Sequence, residues 1–416
     1  MRRIEEKLAA GQRLDLADGL ALFACPDVHA LGRLADTVRR RRHGVRTFYN
    51  INCHINYSNV CVLACGVCGF SRRAGEAGAY EMGVTEVAAR AACAARAGAD
   101  EVHITGGLHP DWPMERYEAM VRAVRRAAPT LHIKAFTAAE IAHMAARGGV
   151  TVEAVLRRLM AAGLDSLPGG GAEIFDPHVR AAMFPRKLDA AGWLAVHRQA
   201  HRLGLRSNAT MLYGHAETQR HRVEHLLTLR ALQDETGGFQ AFVPLPFIPA
   251  ATKRSEDGPP RSTGVPPVSR MGVSPMQPVP KEQTSTSQPN TNEASTPCAK
   301  HGRDARGTHG QDARATPRNG GGIDDLRTLA VARLMLDNFD HVKTFWIMHG
   351  LKLSQLALHF GADDVDGTVM RYAIVEPPDT AVSESHLRKL IEEAGLNPVK
   401  RDSFYQPRQG ARHVCR

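Results

Sequence analysis

Segments with strand character alternate with helical segments along most of this 416-residue sequence. Strands are predicted at 47–57, 101–104, 131–135, 165–167, 206–212, 240–244, 341–346 and near 366–368. Apolar residues at helical spacing predict helices at 85–97, 114–128, 138–147, 151–162, 190–203, 219–235, 323–338 and 353–360. Because a helix separates most successive strands, the strands are expected to be parallel. The number of units predicts an α/β fold, a closed or nearly closed, TIM-like (β/α) barrel.

Two kinds of segment flank or interrupt the predicted barrel. Residues 1–45 carry apolar residues at helix-like spacing and are predicted to form an N-terminal helical segment. The barrel itself is assigned to 46–250 and 322–405, and 406–416 is a tail. Residues 251–321 form an insertion between the two barrel parts.

The insertion is predicted to be disordered. Residues 251–320 hold ten of the 24 prolines and no aromatic residue, so they cannot bury enough apolar surface to offset the entropy of ordering. They also contain an octad repeated in tandem, HGRDARGT and HGQDARAT, at 301–316. A repetitive element tolerated in a surface loop is the favoured interpretation, and a basic interaction tether is the alternative.

Three cysteines follow the first strand at the spacing C-x3-C-x2-C: Cys61, Cys65 and Cys68. An odd number of clustered thiols does not make a disulfide framework, but it suits a compact soft-metal centre. A closed zinc site would need a fourth ligand, for which Cys53 or His54 is available. Three thiolates on a four-iron cluster instead leave one iron open for a small molecule. The spacing favours the iron–sulfur cluster over zinc.

Charge and composition narrow the function classes. The formal net charge is +10, but residues 251–320 hold ten Lys/Arg and six Asp/Glu, which leaves a dispersed +6 elsewhere. This pattern does not favour a nucleic-acid partner, whereas an acidic electron-donor protein would fit it. No apolar run approaches the ~20 residues of a membrane span, and the charged N-terminus does not resemble a secretory signal. Eight cysteines, mostly scattered, are typical of a reducing compartment, so a cytoplasmic location is expected.

Polar and glycine-rich motifs follow four of the predicted strands, where a (β/α) barrel places its active site. They are Thr105–Pro110, Lys134–Glu140, Gly169–Ile174 and Ser207–His215. Gly106 and Gly107 would allow bare backbone to approach a bound amino acid.

Together these features resemble one family, the aminofutalosine (6-amino-6-deoxyfutalosine) synthases. They are radical S-adenosylmethionine (SAM) enzymes of the futalosine route to menaquinone. The segments that carry the resemblance are HIKAFTAAEI, AGLDSLPGGGAEIF, LGLRSNATMLYGHAET, LQDETGGFQAFVPLPF, LAVARLMLDNFDHVKTFWIMHG and FGADDVDGTV. The resemblance covers about 45–250 and 322–405. The sequence departs from it at Val67, where many members have an aromatic residue, and at 370–372, where the usual acidic run is missing.

The resemblance implies a cofactor set and a reaction. Cys61, Cys65 and Cys68 would hold a [4Fe-4S] cluster whose open iron binds SAM. An electron from a low-potential donor such as flavodoxin or ferredoxin would cleave SAM to methionine and a 5′-deoxyadenosyl radical. In this family the radical adds to the enol ether of 3-[(1-carboxyvinyl)oxy]benzoate. Rearrangement, with loss of the carboxyl carbon as bicarbonate, gives 6-amino-6-deoxyfutalosine.

The resemblance also suggests residues around the cluster. The turn at Gly106 and Gly107 would meet the amino group of SAM, and Phe70 would form a wall beside its adenine. The polar residues Thr137, Glu173 and Asn208 would bind its ribose or carboxylate, with a helix cap or a core hydrogen bond as the alternative for each. Four residues would position the carboxylates of the substrate: His54, His109, Tyr213 and His215. The alternative for these four is a hydrogen-bonded structural side chain.

Other functions remain open at this stage. The nearest are the cyclase that acts on dehypoxanthine futalosine and a deazaflavin-cofactor synthase, which share the cluster loop. An RNA-modifying radical enzyme would suit the positive charge, but no appended RNA-binding domain is visible. A zinc-stabilised binding module is the alternative from a different class.

Overall fold

The computed structural model describes residues 1–63, 65, 68–248, 321–368 and 382–408. Its strands are β1 (Arg46–Asn56), β2 (Glu101–Thr105), β3 (His132–Ala135), β4 (Ser166–Leu167), β5 (Arg206–Tyr213), β6 (Phe239–Pro246), β7 (His341–Thr344), β8 (Asp364–Thr368) and β9 (Asn397–Lys400). The helices of the N-terminal half are α1 (Arg2–Ala9), α2 (Leu16–Phe23), α3 (Val28–His43), α4 (Val84–Arg96), α5 (Met114–Ala127), α6 (Ala138–Gly148), α7 (Val152–Ala162) and α8 (Pro177–Met183). The remaining helices are α9 (Ala190–Arg202), α10 (Gln219–Thr236), α11 (Gly322–Met335), α12 (Trp346–His349), α13 (Leu351–Ala357) and α14 (Glu384–Glu393).

Strands β1 to β8 form a closed parallel barrel in chain order, as predicted from the sequence. The barrel closes on β1, because Asn52 pairs with Glu101 of β2 and also with Thr368 of β8. The ninth strand, β9, pairs with the first residues of β1, on the edge opposite β8. The loops that follow the strands therefore lie together at one end of the barrel.

The side chains of each strand alternate between the helices and the barrel interior. In β1, Cys53 faces α4, where Arg90 and Cys93 influence its thiol, whereas the neighbouring His54 lies beside His103 inside the barrel. The apolar core lies between the sheet and the surrounding helices. The interior of the barrel carries mainly polar side chains.

The N-terminal segment is helical, as expected, and packs on the barrel's outer helices. A side chain at Gly19 of α2 would collide with Val223 of α10 and approach Met335 of α11. A side chain at Gly32 of α3 would collide with the ring of Phe360.

The C-terminal segment 401–408 closes the end of the barrel where the strands begin. Arg401 binds both carboxylate oxygens of Asp364, at 2.9 and 2.6 Å. The Tyr405 ring stacks on His341 at 4.0 Å, and the Phe404 ring meets His132 edge-on at 4.8 Å. The active-site loops lie at the other end.

Four short elements were not predicted from the sequence: α8, α12, α14 and β9. Strand β7 also ends at Thr344, earlier than expected, because Phe345 becomes the N-cap of α12. The predicted disorder of 251–321 falls, except for Gly321, outside the described residues, as do residues 409–416 of the tail. No helix in the described ranges is both long and apolar enough to cross a membrane.

Candidate active site

The cysteine loop leaves β1 and folds back on itself at the C-terminal end of the barrel. Its base is held by backbone hydrogen bonds from Cys61 N to Arg72 O (2.9 Å) and from Arg72 N to Asn59 O (2.8 Å). Val62 N donates to Leu108 O at 2.9 Å, which attaches the loop to the segment after β2. The positions of Cys61 and of the chain that returns at Arg72 are therefore fixed by backbone contacts.

The glycine pair after β2 packs directly against this loop. Gly107 N donates to Ser58 O at 2.8 Å, and a Cβ at Gly107 would lie 2.2 Å from Val60 O. A Cβ at Gly106 would lie 2.6 Å from the ring of Tyr57. Both positions therefore require glycine for the close approach of the cysteine loop. The expected contact with the amino group of SAM stays a prediction.

A buried carboxylate, Glu140, joins three strand ends around the loop. It accepts hydrogen bonds from Tyr57 Oη (2.8 Å), Gly106 N (3.0 Å) and Thr137 N and Oγ1 (both 2.7 Å). Thr137 and Glu140 form the capping box that begins α6. Burial raises the pKa of Glu140 to about 7, although the hydrogen bonds from these donors lower it. Glu140 ends the motif Lys134–Glu140 but was assigned no role from the sequence, although the T-x-x-E spacing of a capping box is present.

The three cysteines of the loop form a donor set that suits an iron–sulfur cluster with one open iron. Cys61 and Cys65 are half-buried, Cys68 is exposed, and all three are free thiols. In the described ranges, the one group of three potential ligands whose donor atoms lie within 4.8 Å of one another is found elsewhere. Cys53, the possible fourth zinc ligand, is buried against α4.

An ion pair lies beside the cysteine loop. Glu173, at a left-handed φ of 48°, accepts a bond from Lys187, and both side chains are largely buried. Burial opposes the charge of Lys187, but the Glu173 carboxylate outweighs it and raises the lysine pKa, with smaller contributions from Cys65 and Cys68. Lys187 is thus electrostatically close to the loop thiols. Glu173 was predicted as a site residue but Lys187 was not, because nothing in their sequence spacing pairs them.

Two further residues selected for SAM lie nearby in the fold. Ser207 of β5 bonds to His197 and His201 of α9, so its neighbour Asn208 faces the interior, where its Oδ1 is buried without a partner. Phe70 stands edge-on to Tyr80 at 6.2 Å, within the cysteine loop region. Their contacts with SAM stay predictions.

The residues selected for the substrate occupy different surroundings. His109 lies 3.1 Å from Glu81 and stacks on Trp112, while His215 accepts from Ala216 N and contacts Leu212 O. The Tyr213 hydroxyl donates to Asp325 at 2.8 Å and lies 3.1 Å from His349. His109, His215 and Tyr213 therefore make structural contacts with nearby residues. His54, the fourth residue of this set, lies inside the barrel.

The interior of the barrel holds a layer of paired charges that the sequence analysis did not identify. Lys134 binds Glu101 at 2.7 Å, and Lys343 binds Asp366 at 2.6 Å. The rings of His54 and His103 also lie together in the interior, with their centroids 4.5 Å apart. Burial and the charge of Lys134 lower the pKa of His103 to about 4, so the imidazole is neutral at pH 7.

The group of potential metal ligands mentioned above, His43, His341 and Asp363, lies at the opposite end of the barrel. Asp363 is already bound by Arg333, by Val342 N at 2.9 Å and by His341 at 2.5 Å. A carboxylate with these partners is structural. This group is therefore separate from the candidate site.

Comparison with known families agrees with this geometry. The family model described as the radical SAM superfamily matches residues 55–229, and the model of the CofH/MqnC C-terminal region matches residues 304–414. The barrel resembles methylornithine synthase (17% identity, TM-score 0.65, covering 95% of this chain and 97% of that one). It also resembles the [FeFe]-hydrogenase maturase HydG (14% identity, TM-score 0.67, covering 95% and 75%). At these identities the structures support the fold alone.

Proteins of similar sequence define the relationship more closely than these solved structures do. The chain is 38% identical over 410 residues to the aminodeoxyfutalosine synthase of Streptomyces coelicolor, covering 97% of this chain and 93% of that protein. It is also 38% identical to the Thermus thermophilus enzyme of the same name, covering 97% and 94%. A 5-amino-6-(D-ribitylamino)uracil–L-tyrosine 4-hydroxyphenyl transferase from Methanoculleus marisnigri is 33% identical, covering 97% of each chain.

The closed barrel, the three-cysteine loop and the matching family model define the class as radical SAM enzymes, which use a [4Fe-4S] cluster and SAM. Within that superfamily, the chain belongs to the family of the aminodeoxyfutalosine synthases.

Proposed function

We propose that this protein is an aminodeoxyfutalosine synthase, which converts SAM and 3-[(1-carboxyvinyl)oxy]benzoate to 6-amino-6-deoxyfutalosine, methionine and bicarbonate. The observation that carries the proposal is the 38% identity to two synthases over nearly the whole chain, together with a cysteine loop fixed at the C-terminal end of a closed barrel. The product is a menaquinone precursor in the futalosine route.

Cys61, Cys65 and Cys68 would hold the cluster. When bound and reduced, the cluster supplies the electron that cleaves SAM to methionine and the carbon radical that adds to the substrate alkene. The protein orients the reactants and excludes stray hydrogen donors. A low-potential donor protein such as flavodoxin or ferredoxin would supply the electron.

The ion pair beside the cysteine loop is suited to the amino acid part of SAM. A methionine moiety carries one ammonium and one carboxylate, and Glu173 and Lys187 offer the opposite charge to each. Glu140 would act indirectly, because it fixes Gly106 and Tyr57 against the loop. Asn208 and Phe70 would complete the SAM site.

The test is anaerobic turnover with a mass-spectrometric readout. The protein is reconstituted with iron and sulfide, reduced, and incubated with SAM and 3-[(1-carboxyvinyl)oxy]benzoate. The expected product is the aminodeoxyfutalosine adduct, with one methionine per adduct. Free 5′-deoxyadenosine without an adduct would contradict the proposal while retaining the enzyme class.

The transferase relative provides a second candidate function, because it is 33% identical over the same length. A parallel incubation with L-tyrosine and 5-amino-6-(D-ribitylamino)uracil tests it. We expect no coupled product from this pair.

A further inference from the structure

The barrel interior contains several polar groups without protein partners. In the described part of the chain, the Nε2 atom of the His103 imidazole is enclosed and has no hydrogen-bond partner. The Oδ1 atoms of Asn52 and Asn208 and both amide atoms of Asn50 also have no partner. Each such group costs about 1–3 kcal/mol if nothing completes it. Their concentration within one enclosure indicates that a polar ligand or water completes them there.

The electrostatic environment of His103 favours an anion. In the barrel wall, His103 pairs with His54 of β1 and with Lys134 of β3. Burial is the largest cause of the lowered pKa of His103. The charges of Lys134 and Lys343 lower it further, whereas Glu101 raises it. Because the two lysines disfavour a proton on His103, the same positive potential would stabilise a carboxylate beside it. The neutral imidazole retains one N–H group to donate.

The position of His103 relative to the cysteine loop selects one end of the substrate. The cysteines and the Glu173–Lys187 pair lie beyond the C-terminal ends of the strands, so the alkene must lie there. His103 is the middle residue of β2, two positions before Thr105 at the strand end. A substrate with its alkene near the loop would direct its far end into the barrel.

We propose that His103 binds the ring carboxylate of the substrate inside the barrel through its N–H group and so sets the specificity for a benzoate. This assignment rests on the proposed function. Lys134 and Lys343 contribute through their charge, because their ammonium groups remain bound to Glu101 and Asp366. His103 is a substrate-binding residue and takes no part in the radical steps.

A thermodynamic cycle between one residue and one ligand group tests the inference. The dissociation constants of 3-[(1-carboxyvinyl)oxy]benzoate and of its analogue without the ring carboxylate, 2-phenoxyacrylate, are measured by calorimetry. The reconstituted enzyme with SAM is used, anaerobically and without reductant, so that no turnover occurs. For the wild type, we expect the analogue to bind at least tenfold more weakly.

His103→Phe should weaken binding of the full substrate at least tenfold and change binding of the analogue less than twofold. His103→Gln, which keeps a donor, should recover part of the loss. His197→Phe is the matched control, since His197 is also a buried imidazole with an unpartnered Nε2 but lies on α9, where its Nδ1 bonds to Ser207. This control should leave the ratio of the two dissociation constants unchanged.

Each of the following outcomes would overturn the inference. If His103→Phe and His103→Gln weakened the binding of both ligands equally, His103 would be a structural residue. If the wild type bound the two ligands equally well, the ring carboxylate would not be recognised. If the wild type bound neither ligand, the proposed function would fail together with the inference. Wild-type adduct formation with an unchanged ratio in both variants would overturn only the inference.

Discussion

Glu140 shows how one side chain connects the site to the stability of the protein. Its carboxylate holds Tyr57, Gly106 and Thr137, which belong to three different strand ends. Burial raises its pKa from 4.5 to about 7, so the folded state holds a proton that the unfolded state releases at lower pH. Its contribution to the free energy of unfolding should therefore fall as pH rises through this interval.

We predict that wild-type stability falls by about 3 kcal/mol more between pH 4.5 and pH 8 than that of Glu140→Gln, since one pKa unit corresponds to 1.36 kcal/mol. Urea unfolding at several pH values measures the difference. The comparison with the variant cancels the other groups that titrate in this range. Parallel curves for the two proteins would contradict the assigned pKa.

The glycine pair gives a second prediction about single residues. Gly107→Ala would place a Cβ 2.2 Å from Val60 O, so the cysteine loop must move. We expect the reconstituted variant to retain less than half of the wild-type iron and sulfide. Gly83→Ala is the control, because nothing lies within 4 Å of its added Cβ and its φ is −69°. Full iron content in Gly107→Ala would show that the close approach is not required.

The predicted and the unpredicted site residues differ in how far along the chain their partners lie. The spacing of Cys61, Cys65 and Cys68 is local, so it was visible in the sequence. By contrast, the pairing of Lys187 with Glu173 depends on a turn of the chain, and the position of His103 depends on the barrel register. Such contacts become apparent only when the strands are aligned.

Among the elements, β9 and the segment after it complete the barrel at the end opposite the site. Arg401 is buried and binds Asp364 through two hydrogen bonds. Removing one member of a buried pair leaves an uncompensated charge, which costs about 3–5 kcal/mol. The loss of Arg401 alone should therefore destabilise the folded protein.

We predict that Arg401→Met lowers the free energy of unfolding by about 3–5 kcal/mol, because Asp364 keeps its charge and loses its guanidinium partner. Chemical denaturation measures the loss. Gln406→Ala is the control in the same segment; its side chain is exposed, and the change should cost less than about 1 kcal/mol. Similar losses in both variants would argue against a special role for the buried pair.

Most elements of the barrel were predictable, whereas α8, α12, α14 and β9 were not. The eight barrel strands follow the predicted positions within a few residues, since they alternate with helical segments along the chain. Helix α8 has seven residues and starts at Pro177, which resembles a turn in the sequence. Strand β9 has four residues and includes Pro398. Tertiary contacts decide the structure of such short segments.

For the whole molecule, contacts divide the chain into two units. One consists of Met1–Ala251 and Thr316–Arg416 and contains the barrel and the candidate site; the other, Thr252–Ala315, lies outside the described residues. Strand β6 ends at Pro246 and α11 begins at Gly322, and both pack in the barrel. All the residues that we assign to the site belong to the first unit.

We predict that deleting 252–315 preserves adduct formation and does not lower the melting temperature. The deletion leaves about eleven residues between β6 and α11, and loop closure changes by only about 0.6 kcal/mol for each doubling of length. The expected effect is a stabilisation of at most about 2 kcal/mol, measured by thermal unfolding, with turnover within twofold of the full chain. A control deletion of 401–408 should instead destabilise the barrel, because it removes Arg401. Loss of turnover in a folded 252–315 deletion would assign the insertion an active role, as a tether for the electron donor.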